Sequence, residues 1–135
     1  MTTYLDSSAW LKRYIEEEGS ELVAGILEEE PVVITCAVAE AEVRRNLERI
    51  VPEHAEQLRR RFLDDLVRCN VVEIDRSLIR SAAALAEITL ARSLDALHLA
   101  AAQRLGGSAS LRFLTFDRRQ SRIARDLGLS VAGIA

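Results

Sequence analysis

The 135 residues are 49% hydrophobic and 29% charged, a composition that suits a folded globular domain and excludes a disordered chain. A formal charge of −3 excludes a protein that holds nucleic acid by bulk electrostatics, so any polyanion must be gripped locally. A chain of this length usually closes one hydrophobic core, and a single domain over residues 1–135 is expected.

Residues 2–5 read as a short strand, followed by Asp6, Ser7 and Ser8, which can cap a helix carrying Ala9, Trp10, Leu11, Tyr14 and Ile15. Glu16 to Ser20 interrupts the pattern; a second helix runs from about Glu21 to Glu29, and Pro31 stops it. Residues 32–35, β-branched and without polar alternation, predict a buried parallel strand. A helix over 38–50 follows, with Val43, Leu47 and Ile50 on one stripe, and Pro52 opens a charge-rich helix up to about Arg68. Residues 71–74 give a third strand. Two alanine-rich helices over 77–90 and 93–105 come next, the second stopped by Gly106-Gly107. Residues 111–115 predict a fourth strand, 117–127 the last helix and 129–134 a final strand. This alternation predicts an α/β fold: a three-layer α/β/α arrangement with a central, mostly parallel sheet and right-handed crossovers.

In such a sheet, ligands bind beyond the carboxyl ends of the strands. Asp6 follows the first strand and Asp117 the fourth; Asp95 lies in the first turn of the helix opened by Ser93, and Glu42 one turn into the helix after strand two. Each acid alone has a structural explanation. Asp6 and Asp117 are good N-caps, Asp117 with Gln120 as a capping box, Asp95 complements a helix dipole, and Glu42 could be solvated. Together, four carboxylates on one edge would repel, by about 4 kcal/mol for two unit charges about 4 Å apart at an effective dielectric of about 20. A hard divalent cation, Mg²⁺ or Mn²⁺, relieves that repulsion and suits phosphodiester hydrolysis.

Four blocks in order resemble the PIN-domain ribonucleases of the VapC toxin group over nearly the whole chain: Tyr4 to Lys12, Thr35 to Arg45, Ser93 to Ala102 (Asp-Ala-Leu-His-Leu-Ala-Ala at its centre) and Phe113 to Arg119 with Leu127-Gly128-Leu129. The resemblance implies a PIN-like fold and a ribonuclease whose metal is held by Asp6, Glu42, Asp95 and Asp117, with Ser8 and Thr115 hydrogen-bonding near the site. It also implies an RNA substrate, a homodimer and a small VapB-like antitoxin as partner. Cys36 stands where the family commonly has serine. Glu40 competes with Glu42 for the glutamate role; the apolar residues at Val43 and Leu47 favour Glu42, whereas helix periodicity alone leaves the two open.

Other residues carry plainer expectations. His98 is expected to be packed and hydrogen-bonded rather than catalytic, Trp10 and Tyr14 to serve core or dimer packing rather than base stacking, and Cys36 and Cys69 to be buried thiols. Arg44, Arg45, Arg49 and Arg59 to Arg61 could hold phosphate or simply form solvated helix faces. No apolar run approaches the roughly 20 residues of a membrane helix, and the amino terminus has no basic region followed by a hydrophobic one, so a cytoplasmic location without membrane association is expected. The competing functions are a non-catalytic PIN-fold binding module and a phosphatase or phosphotransfer domain. A receiver would want an acidic pair and a late lysine, and a haloacid-dehalogenase relative Asp-x-Asp; the chain has Asp6-Ser7-Ser8 and Lys12 as its one lysine.

Overall fold

The computed structural model describes residues 2–30, 32–105 and 110–134; Pro31 and Gly106-Gly107, the expected helix stops, lie outside them. The elements run β1 (Thr2–Leu5), α1 (Ser7–Tyr14), α2 (Ser20–Glu29), β2 (Val33–Cys36), α3 (Val38–Ile50), a 3₁₀ turn (Pro52–His54), α4 (Ala55–Val67), β3 (Asn70–Val72), α5 (Arg76–Thr89), α6 (Ser93–Leu105), β4 (Leu111–Thr115), α7 (Arg118–Asp126) and β5 (Ser130–Gly133). The strands form one sheet in the order β3-β2-β1-β4-β5, and every neighbouring pair is parallel. The three-layer α/β/α expectation therefore holds, with a sheet that is parallel throughout the described residues.

Side chains alternate across a strand, and here they feed two separate cores. Tyr4, Ile34, Cys36, Val72, Leu111 and Phe113 point to one face and pack under α5, α6 and α7. Leu5, Val33 and Leu114 point to the other, where Ala9, Trp10, Val23, Val43, Leu47 and Phe62 cover them. Trp10 is wholly buried, and its indole N–H donates to Thr35 Oγ1 at 3.1 Å; Tyr14 donates to Asp65 Oδ2 at 2.5 Å. Both aromatics are core residues. Cys36 is buried as expected, but Cys69 is only half-buried, because it sits just past the end of α4 with its thiol against the Asp65 carbonyl.

Several boundaries differ from the sequence expectation. The second strand is displaced to end at Cys36 because Cys36 is in register with Val72. The third begins at Asn70 and stops at Val72, since Asp75 accepts from the Leu78 N–H at 2.7 Å and starts α5 early. Pro52 opens a 3₁₀ turn before α4 rather than α4 itself. At the end of the chain the strand is confined to Ser130–Gly133.

This order places the site. The chain leaves β1 toward β2 and β3 on one side, then returns to β4 on the other, so β1 and β4 flank the point where strand order reverses, the crevice in which open α/β sheets bind ligands.

Candidate active site

Asp6 leaves the end of β1 with its backbone N–H bonded to the Leu114 carbonyl across the sheet at 3.3 Å. Its carboxylate caps α1 through the Ala9 N–H at 3.1 Å, takes the Ser8 hydroxyl at 2.6 Å on the same oxygen, and takes the Thr115 hydroxyl at 2.5 Å on the other. Ser8 Oγ accepts from the Phe116 N–H, and Thr115 Oγ1 accepts from the Asp117 N–H. Ser8 and Thr115 thus fasten Asp6 to the segment that carries Asp117. Asp6 is only 5% exposed, and burial raises its carboxyl above the ordinary aspartate value even though His98 and these donors pull the other way.

Glu42 reaches the same cleft from α3. Ser7 donates to Glu42 Oε1 at 2.5 Å, and His98 Nε2 lies 2.7 Å from the same atom. His98 Nδ1 is 2.6 Å from the Tyr4 hydroxyl, and burial pushes that phenol well above its usual range, so it stays protonated. The His98 ring is thus gripped at both nitrogens, Nδ1 by Tyr4 and Nε2 by Glu42. Burial opposes ionisation of Glu42, yet the His98 and Ser7 bonds outweigh it and hold the carboxyl below its ordinary value. Glu40, about 200° around the helix, points away and pairs with Arg44 on the surface at 2.8 Å.

Asp95 stands in the first turn of α6 and Asp117 caps α7, accepting the Gln120 N–H at 3.0 Å. The expected capping box is only half formed. The Gln120 side chain instead donates to the Asp95 carbonyl at 3.0 Å and ties α7 to α6, which fixes the spacing of the two aspartates. Burial raises the Asp95 carboxyl; Arg92 lowers it, while the charges of Asp117 and Glu42 raise it further. Arg92 Nε lies 3.4 Å from Asp95 Oδ2, and its Nη2 lies 3.9 Å from Asp117 Oδ2.

Asp6, Glu42, Asp95 and Asp117 line one cleft of about 430 Å³, together with Ser8, His98 and Arg92. All four expected carboxylates and both expected hydroxyl residues are brought together, Thr115 through its bond to Asp6. Ser7, the Tyr4–His98 pair and Arg92 were not assigned to the site from sequence. The Arg92–Asp95 spacing of three residues at a helix start is the signal that could have found the arginine.

The donor set fits a hard cation. It is oxygen-rich, and burial leaves Asp6 and Asp95 with raised carboxyls that a positive charge would stabilise in ionised form. Among the described residues no three His, Cys, Asp or Glu side chains close into a ready-made cage.

The family profile of the PIN domain matches residues 3–126. The chain belongs to the PIN-domain family. Within it, the chain is 34% identical over 128 residues to ribonuclease VapC46 of Mycobacterium tuberculosis, covering 95% of this chain and 94% of the relative. It is 37% identical over 131 residues to ribonuclease VapC35 of the same species, covering 95% and 93%. The DNA-bound VapBC of Salmonella typhimurium shares the fold at a TM-score of 0.69 and 15% identity over 98% of both chains. Membership of the PIN family removes the receiver and haloacid-dehalogenase readings.

Proposed function

We propose that this PIN domain is a single-domain, Mg²⁺- or Mn²⁺-dependent endoribonuclease acting in the cytoplasm as the toxin of a toxin–antitoxin pair. The observation that carries the reading is the convergence of Asp6, Glu42, Asp95 and Asp117 on one cleft at the strand-order reversal, in a chain whose relatives are ribonucleases. Asp6, Glu42, Asp95 and Asp117 would hold the cation. There it would supply an acidified water as nucleophile and positive charge beside the phosphate.

The chain's own residues set the geometry. Ser8 and Thr115 fix the rotamer of Asp6, and His98 and Ser7 fix that of Glu42, so neither carboxylate has to be ordered when substrate arrives. The half-exposed Asp117 leaves the cleft open to solvent on one side, as a long polymer requires. The partner is proposed as a small VapB-like antitoxin, and the active form as a homodimer. Support comes from the VapC relatives and from the fold shared with VapBC. Incubation of the purified protein with single-stranded RNA, Mn²⁺ and then EDTA tests the reading: metal-dependent cuts are expected, and cleavage indifferent to EDTA would overturn it.

A further inference from the structure

Arg92 is a cation built into an acidic cleft. Its guanidinium lies against both Asp95 and Asp117, at distances of 3.4 and 3.9 Å, and its side chain is 67% exposed. Both contacts are longer than the roughly 2.7–2.9 Å of a well-formed charge-assisted hydrogen bond, so the arginine is held loosely. The backbone beneath it is firm, because the Arg92 carbonyl accepts the Ala96 N–H at 2.8 Å as α6 begins. A fixed stem with an exposed head can move its charge several ångströms without disturbing the fold.

The two oxygens that Arg92 faces belong to the carboxylates assigned above to the metal. A guanidinium and a divalent ion repel and compete for the same pair. Once released, the planar fork of arginine matches a phosphate oxygen pair better than any other side chain.

Resting on the ribonuclease reading, we propose that Arg92 is an exchangeable counter-cation: it partly offsets the charge of Asp95 and Asp117 in the metal-free protein, gives way when metal binds, and then engages a non-bridging phosphate oxygen of the RNA. Arg92 therefore weakens metal binding and strengthens RNA binding, two effects of opposite sign. A purely structural arginine would produce neither.

Mn²⁺ calorimetry and cleavage kinetics on wild type, Arg92→Gln and Arg92→Lys test this. Arg92→Gln should bind Mn²⁺ about two- to fivefold more tightly, the scale of an exposed ion pair removed. Its KM for single-stranded RNA should rise severalfold, and the slope of log KM against log salt should flatten by about 0.7, the change expected when one phosphate is no longer neutralised. Arg92→Lys keeps the charge and should return Mn²⁺ affinity toward wild type. Unchanged or weaker Mn²⁺ binding in Arg92→Gln, or an unchanged salt slope, overturns the exchange while the ribonuclease reading stands. A wild-type protein that neither binds Mn²⁺ nor cuts RNA overturns both.

Discussion

Asp6 and Asp95 carry the same charge for opposite structural reasons. Asp6 is buried and held by three donors, whereas Asp95 is partly open and balanced by Arg92. Their carboxyls are both raised by burial, so the folded metal-free protein retains protons that the unfolded chain has already released. The contribution of these two carboxyls to stability is then greatest at low pH and falls as pH rises from the ordinary aspartate value, about 3.9, through the raised folded values, whereas the lowered carboxyl of Glu42 contributes in the opposite sense. Asp95→Asn should abolish its share of that fall: in EDTA, its melting temperature relative to wild type should climb as pH is raised across this window. The same substitution should cut RNA cleavage by about 100-fold or more, the scale for losing a preorganised charge-stabilising group. Normal cleavage by Asp95→Asn would make this residue a helix-start charge and nothing else.

Helix periodicity left Glu40 and Glu42 open, and the structure separates them by their partners. Glu42→Gln should lose metal affinity, measured by calorimetry, and cleavage with it. Glu40→Gln breaks only a half-exposed pair with Arg44 and should leave both near wild type. What the sequence did not disclose is how Glu42 is held: Tyr4 and His98 are 94 residues apart and meet only because α6 packs on the sheet. No local pattern encodes such a contact.

The helices were legible because their apolar stripes and caps are local, as in α3 with Val43 and Leu47 buried. Short strands were less so. β3 has three residues, and its limits come from pairing with β2, which sequence periodicity does not register. β5 illustrates how an edge element can reach the site. Gly133 has φ of +105°, and a Cβ there would lie 2.1 Å from the Thr115 carbonyl oxygen. Thr115 in turn bonds Asp6. Gly133→Ala should therefore destabilise by more than about 1 kcal/mol, since a left-handed backbone and a clash coincide. It should also lower cleavage at temperatures where it is still folded, because the clash displaces a residue that holds Asp6. Thermal melts alongside cleavage rates check both effects; activity unchanged in the folded variant would detach β5 from the site.

At the scale of the molecule, charge is distributed against nonspecific RNA binding. The net charge is −3, and arginines outside the cleft are partly engaged by neighbours, Arg44 by Glu40 and Arg60 by Glu56, each 2.8 Å apart. No helix among the described residues is long and apolar enough to cross a membrane. Co-expression with an antitoxin encoded beside it should yield a co-purifying complex of a dimeric toxin with suppressed cleavage. A monomer that retains full activity in the presence of that neighbour would contradict the toxin assignment without touching the nuclease.

The alternation of strands and helices and the four acids were visible in the chain, since each acid sits beside a recognisable strand end or helix start. Their convergence depends on the order β3-β2-β1-β4-β5, which only the resemblance and the fold supply. The central claim is that this convergence builds a cation-dependent nuclease. Its most direct test compares wild type with Asp6→Asn on one single-stranded RNA, with Mn²⁺ added, then chelated by EDTA, then restored. Wild type should cut, stop and resume, and Asp6→Asn, folded by thermal melt, should stay silent throughout; cutting that persists in EDTA, or an Asp6→Asn protein that cuts as wild type does, would contradict the account.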